Sequence, residues 1–223
     1  EELIAMKKGY LSEDLLKWTN TFHEYGFFIH GMFMFGYPRN PDMTVKEIPL
    51  KERAELFREF IKRAKIDTLQ VLLTIPLPGT ELRDRLLREN RIVPIETVGW
   101  EYYDGQYPLY MPDDGVEPEE IQKIVGDLMY RFYTFNNFWK IVKHIFVSFP
   151  AIVFPSSITI VAGRVRYIQS AFTIWRRKYF RNYILRFGGY LIVKNWFRNF
   201  RKDPFLHKLN RAKKELRNQA TMK

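Results

Sequence analysis

The chain has 223 residues, 46% hydrophobic and 17% aromatic, with a mean hydropathy of −0.31; that composition buries a core and excludes a disordered chain. It has no cysteine, which excludes disulfides and any thiolate-bound zinc or iron–sulfur cluster built from this chain alone. The net charge of +11 is unevenly spread: residues 1–129 carry 16 Lys and Arg against 23 Asp and Glu, whereas residues 130–223 carry 20 against 2. Two tasks or two domains follow, the second of them suited to an anionic partner.

In chain order, Leu11, Leu15, Trp18, Phe22 and Tyr25 recur at spacings of three and four and predict an amphipathic helix over 13–25. Ser12 is its expected N-cap, Glu13 and Asp14 suit its first turn, and Gly26 its stop. FFIHGMFMFG, residues 27–36, reads as a strand buried on both faces. Its alternation puts Ile29, Phe33 and Phe35 on one face and His30, Met32, Met34 and Gly36 on the other. A Pro-rich connection, 37–48, leads to a helix with Pro49 at its first position and a stripe of Leu50, Ala54, Phe57, Ile61 and Ala64. TLQVLLTI, 68–75, is a second strand, with Gln70 on its mixed face; IPLPGT ends it, and Thr80 caps a helix running to about Asn90. The strands lie a crossover apart, which suits a right-handed parallel βαβ unit. A greasy face and a partly polar face on each strand favour a (β/α) barrel, with the polar face toward the lumen.

Residues 91–115 are irregular and tyrosine-rich, the mark of a functional loop or lid. One long helix is expected from Pro118, with a stripe through Ile121, Leu128, Phe132, Phe135, Trp139, Val142 and Phe146. Residues 145–163 carry no charge, a length that suits a membrane span but for Pro150 and Pro155. Residues 164–200 interleave Arg and Lys with aromatics, punctuated by Gly188-Gly189, and 208–223 reads as a solvated, fraying basic helix.

No dinucleotide fingerprint, P-loop, zincin or nucleophile-elbow motif occurs, and His23, His30, His144 and His207 lack metal spacing. His30 stands as a core histidine first and a site residue second. FGYP, Phe35–Pro38, and IPLPGT both sit at C-terminal strand ends, where parallel α/β folds bind ligands and where amides and carbonyls run out of ladder partners. The competing reading is two plain turns. Glu101, Asp104 and their tyrosines read as a capping loop before they read as acid–base groups. The basic, aromatic C-terminal region has three readings: a packed helical subdomain, an interfacial membrane patch, or an RNA surface, in that order.

KKGYLSEDLLKWTNTFHEYGFFIHGMFMFGYP, IDTLQVLLTIPLPGTELRDRLLRENRI and VGWEYYDGQYPLYMPDD, in that order, resemble the C-terminal part of radical S-adenosylmethionine (radical SAM) enzymes, most closely those with an N-terminal cobalamin-binding domain. The resemblance covers about residues 5–135 and continues more weakly into YFRNYILRFGGYLIVKNW. It implies a partial (β/α) barrel, a Cys-x3-Cys-x2-Cys motif holding a 4Fe–4S cluster, and reductive cleavage of SAM to a 5′-deoxyadenosyl radical. Carried over by position, Phe35, Gly36 and Tyr37, with Thr74, Ile75 and Pro76, would help seat SAM, while Gly79 and Thr80 hold the turn. His30 and Gln70 become candidate SAM or substrate neighbours, and Trp100, Tyr102 and Asp104 candidate substrate groups. The cluster motif and the first barrel strands are absent here, so the resemblance implies a fragment, inactive alone, whose cluster and any cobalamin belong to a missing N-terminal part of the same protein.

The expected architecture is therefore α/β: the C-terminal portion of a partial (β/α) barrel with its aromatic loop over 1–115, then a basic, mostly helical region over 116–223. The expected function is a fragment of a radical SAM enzyme acting on an unidentified substrate; the alternative is a non-enzymatic basic peripheral membrane protein. No catalytic residue and no metal ligand is assigned. Expected partners are the missing N-terminal part and an anionic membrane surface met through residues 140–202, not nucleic acid. The expected location is cytoplasmic, peripheral at the inner face of a membrane.

Overall fold

In a computed structural model the described residues are 3, 6–38, 48–113, 116–153, 162–200 and 202–221, with side chains described outside 147–153, 162–179 and 219–221. Most of the Pro-rich connection and part of the uncharged stretch 145–163 lie outside them. The chain forms two contact units: Glu1–Met129 with Phe197–Lys223, and Tyr130–Trp196. The first boundary coincides with the point where the charge balance changes sign.

The first unit is α/β. Helix α1 (Ser12–Glu24), strand β1 (His30–Phe35), helix α2 (Leu50–Arg63), strand β2 (Thr68–Leu73) and helix α3 (Glu81–Arg88) follow in the predicted order. The strands pair in parallel, His30 opposite Thr68 and Phe35 opposite Leu73. Their alternation decides what is covered. Phe35, Leu69, Val71 and Leu73 are buried. Phe33 and Phe35 meet Phe57 of α2 edge-on at 6.1 and 5.2 Å, and Phe33 meets Phe60 at 5.8 Å, the arrangement that the ring quadrupoles favour. On the opposite face His30, Met32 and Met34 are exposed and Gln70 and Leu72 half-buried, so the expectation of two buried faces on β1 is corrected to one.

Hydrogen bonds fix which edge of each strand is used. In a parallel pair, alternate residues turn both backbone groups to the same neighbour. The Ile29 carbonyl accepts from Thr68 N and the Phe35 carbonyl from Thr74 N, so the odd residues of β1 serve β2. His30, Met32 and Met34 turn theirs to the outer edge. On β2 the odd residues face outward, and Leu73 N donates to the Gly105 carbonyl at 2.7 Å, so a loop covers that edge.

Helix ends differ by small shifts. The α1 cap is Leu11, not Ser12: the Asp14 carboxylate accepts from Leu11 N at 2.9 Å, while the Ser12 hydroxyl turns to Glu13. Pro49 occupies the N-cap rather than the first helical position, its carbonyl accepting from Arg53 N. Thr80 caps α3 as predicted, accepting from Arg83 N at 3.3 Å. None of the α1 residues is buried: Trp18, Phe22 and Tyr25 of its apolar stripe are exposed.

Residues 91–113 are more ordered than a free loop. Ile92 and Tyr110 form an antiparallel bridge, Val93 N donates to the Leu109 carbonyl, and Met111 N to that of Arg91. Helix α4 (Ile95–Val98) and a 3-10 turn (Trp100–Tyr102) fill the span between, with Val93, Val98, Tyr102 and Leu109 buried. Helix α8 (Phe205–Thr221) completes that core through Phe205, Leu209 and Ala212, none of them exposed. The expectation of a solvated, fraying tail is thus corrected. Phe205, Leu209, Ala212 and Leu216 recur at four, three and four residues, enough for one narrow apolar seam on an otherwise basic helix.

The long helix expected from Pro118 is two: α5 (Pro118–Phe132) and α6 (Asn136–Val153). Thr134 and the paired Asn136 and Asn137 break it. The Thr134 carbonyl accepts from both the Asn137 backbone N–H and its side-chain amide, at 3.1 Å each. Helix α7 (Ala162–Phe200) runs without interruption through Gly188-Gly189, so the glycines are not punctuation. A Cβ on Gly189 would lie 2.4 Å from the ring of buried Tyr133; the glycine makes room for that ring. Among the described residues no helix is long and apolar enough to cross a membrane.

Candidate functional site

The two strand ends meet at one corner. β1 delivers Phe35, Gly36 and Tyr37, and β2 delivers Thr74, Ile75 and Pro76; Phe35, Gly36, Thr74 and Pro76 are buried and the other two half-buried. The corner is more occupied than the sequence implies. Thr74 N donates to the Phe35 carbonyl at 3.3 Å, and the Ile75 carbonyl accepts from Leu77 N at 3.0 Å. Buried Tyr110 donates its hydroxyl to the Gly36 carbonyl. Arg53 donates to the Tyr37 carbonyl at 3.3 Å, Arg85 to that of Pro38 at 3.1 Å, and Arg83 to that of Pro76 at 3.2 Å. Gly36 has a φ of +82°, and a Cβ there would stand 3.1 Å from Ile121 Cγ2. Its open side is therefore filled by α5 rather than left for a ligand, which corrects the expectation of a wholly free backbone.

What remains free is specific. By the parity of the ladder, the bond after Thr74 N to Phe35 would run from Tyr37 N to the Thr74 carbonyl, and it is not made. Among the described residues the N–H groups of Gly36, Tyr37 and Ile75 and the carbonyl of Thr74 have no hydrogen-bond partner. By the same parity only Tyr37 N and the Thr74 carbonyl face each other where the two strands diverge, while Gly36 N and Ile75 N have the parity of the outer edges of β1 and β2. Backbone groups so placed require water or a ligand.

The tyrosine-rich loop reaches β2 through its tip. Gly105 accepts from Leu73 N, and a Cβ on it would lie 3.4 Å from Ile75 Cδ1, so neighbouring Asp104 is brought beside the corner. The Asp104 carboxylate accepts from the Gln106 backbone N–H and side-chain amide at 2.8 and 2.6 Å. Although Asp104 is exposed as a residue, partial desolvation of its carboxyl raises it above the usual aspartate range, with the Gln106 backbone bond opposing. Trp100 is exposed and packs on Tyr103 at 5.0 Å, and the Tyr103 hydroxyl accepts from Arg83 at 3.3 Å.

Other expected site residues lie elsewhere. His30 begins β1, bonded through Nδ1 to Thr68 Oγ1 at 2.8 Å, five residues from Phe35 and therefore about 16 Å along the strand from the corner. Gln70 pairs with Met32, about 13 Å from Thr74 along β2. Tyr102 is a packing residue: its ring lies 4.9 Å from Phe205 and 4.7 Å from Tyr107, with the Lys208 ammonium 4.7 Å over its face.

Tyr110, Arg53, Arg83 and Arg85 are the residues the sequence reading missed. A signal existed for two of them. Arg53 and Arg83 lie near the starts of α2 and α3, where the helix dipole disfavours a cation unless it serves another group. Burial raises Tyr110 well above the usual phenol range, so it stays a hydrogen-bond donor.

The residues present do not supply the cluster that the radical SAM resemblance implies. No cysteine exists, and no three His, Asp or Glu side chains converge among the described residues. Compared with protein-family models, with curated proteins and with solved structures, the chain matches none.

Proposed function

We propose that residues 1–115 are the last part of a partial (β/α) barrel of a radical SAM enzyme of the cobalamin-domain type, and that the corner between the strand ends helps seat SAM. The observation that carries this reading is the unmade rung between Tyr37 N and the Thr74 carbonyl, a free donor and a free acceptor at the C-terminal ends of parallel strands. An adenine edge presents both donors and acceptors, which suits such a mixed set. Thr74 and Ile75, flanked by Pro76, are the proposed contacts for adenosine, with Phe35, Gly36 and Tyr37 across the gap. Asp104, beside the corner, is the substrate-side group best placed.

Surfaces left open among the described residues support the barrel part. The mixed face of the sheet, the outer edge of β1 and the apolar stripe of α1 are each of a kind that a larger barrel covers. The 4Fe–4S cluster would be held outside this chain and would supply the electron that cleaves SAM; cobalamin, if the parent uses it, would likewise be held elsewhere. This chain's contribution would be to bind and orient adenosine, and alone it would be inactive.

The reading frame preceding the codon for Glu1 tests the class. An in-frame Cys-x3-Cys-x2-Cys is expected, and a frame without one would remove the proposal. An adenosine analogue soaked into the longer protein tests the corner separately: density away from Thr74–Pro76 would return both strand ends to plain turns.

A further inference from the structure

Tyr130–Trp196 contains eleven Lys and Arg and no Asp or Glu, so no cation of that unit has a carboxylate side chain of its own unit to pair with. The described parts of its two helices pack through aromatic side chains. His144 stacks on Phe180 with centroids 5.2 Å apart, Phe138 meets Phe187 at 5.5 Å, and Phe135 meets Tyr190 at 5.9 Å.

The residues turned outward are the unexpected ones. Among the α6 residues whose side chains are described, the buried ones are polar, Asn137 and His144, whereas Trp139 is 59% and Phe146 73% exposed. At 100° per residue, Trp139 and Phe146 fall about 20° apart, nearly opposite Asn137 and His144. Exposed Lys143 lies beside that apolar arc, and Lys140, also exposed, sets its ammonium over the Tyr183 ring at 5.5 Å. α7 repeats the pattern: Ile184, Leu185 and Leu191 are exposed, Ile192 is 71% exposed, and exposed Arg181 and Lys194 lie among or beside them. A helix facing water alone has the reverse arrangement.

We propose that this unit docks on an anionic lipid bilayer surface. The outward aromatic and aliphatic side chains would enter the headgroup–acyl boundary, and the lysines and arginines would meet lipid phosphates and carboxylates. Two features of the unit select that partner. Aromatic and branched aliphatic side chains beside Lys and Arg are the composition of interfacial helices. The complete absence of carboxylates removes the repulsion that an anionic surface would otherwise exert. Adsorption is what such a surface supports, since none of the described helices can span. The inference does not depend on the enzymatic reading of the other unit.

The test is cosedimentation of the 223-residue chain with vesicles of phosphatidylcholine alone and with about 30% phosphatidylserine, at low and high salt. Binding is expected on the anionic vesicles at low salt, weakened by salt and absent on phosphatidylcholine. Each of Lys143→Ala and Lys194→Ala should lower the partition coefficient about fivefold. Trp139→Ser with Phe146→Ser should lower it tenfold or more. Both sites are exposed, so the fold should tolerate the changes, checked by unchanged circular dichroism. Trp18→Ser, a comparably exposed tryptophan of the other unit, is the control and should bind as the parent does. No binding at low ionic strength, equal binding to both vesicle types, or equal loss in the Trp18 control would overturn the proposal. Displacement from the vesicles by an RNA oligomer at equal phosphate concentration would overturn it in favour of a nucleic acid.

Discussion

The balance of −7 before residue 130 against +18 after it invites the view that charge holds the basic tail to the acidic part. α8 allows the two forces to be compared. Its ion pairs are Lys208 with Glu101 at 3.1 Å, Lys213 with Glu117 and Glu119 at 2.6 Å each, and Arg217 with Glu117 at 3.7 Å. All but Lys213–Glu119, which is part-buried, have at least one well-exposed partner, and exposed pairs contribute about 0–1 kcal/mol apiece. Against them, Phe205, Leu209 and Leu216 are buried, at about 1.5–3 kcal/mol gross per side chain, or roughly 5–9 kcal/mol together. Burial wins. Hydrogen exchange of the α8 amides should therefore be nearly the same at low salt and at 1 M NaCl, where the Debye length is about 3 Å. Leu209→Ala should cost about 3 kcal/mol and lower α8 protection by about a hundredfold. Loss of protection in 1 M NaCl, with Leu209→Ala neutral, would refute the comparison and make charge the holding force.

Tyr110→Phe leaves the buried Gly36 carbonyl without its donor and should cost about 1–2 kcal/mol in urea unfolding; an unchanged midpoint would mean that the bond is not formed in solution. Gly36→Ala places a Cβ at φ +82° and 3.1 Å from Ile121, and should destabilise by more than about 1 kcal/mol, which a thermal melt would show. Asp67→Ala removes the carboxylate that accepts from Ile29 N at 2.9 Å and lies 3.0 Å from His23 Nε2; with Asp67 buried and His23 partly so, a loss of about 3 kcal/mol is expected in denaturant unfolding. Burial, reinforced for Tyr107 by Asp203, raises Tyr107 and Tyr110 above the ordinary phenol value of 10.0. Above that value the unfolded chain loses phenolic protons that the folded chain keeps, so stability should fall as pH rises past 10; complete tyrosine ionisation just above pH 10 with native circular dichroism would contradict this.

The strands were legible because one alternating face had to be covered: Phe33 and Phe35, with Leu69, Val71 and Leu73, read as an inner face from period two alone. The corner after each strand was legible from glycine and proline, and Thr80 from its place before a charged run. The occupants of the corner were not. Tyr110 comes from a segment seventy-four residues beyond Gly36, and no local pattern links them. The tail was misread because six Lys and Arg side chains over 208–223 drew notice from a seam four residues wide, Phe205, Leu209, Ala212 and Leu216. The break between α5 and α6 had a local signal in Thr134, Asn136 and Asn137, outweighed by an apolar stripe that continued across it. His30 was drawn toward the site by its face, yet its height on the strand puts it at the far end.

The most direct test of the central claim is anaerobic reconstitution with iron and sulfide, followed by reduction in the presence of SAM, of the protein expressed from its whole reading frame and of residues 1–223 in parallel. The longer protein should gain 4Fe–4S absorbance and release 5′-deoxyadenosine, and residues 1–223 should do neither. A cluster formed on residues 1–223, or a longer protein that forms none and leaves SAM intact, would contradict the radical SAM assignment.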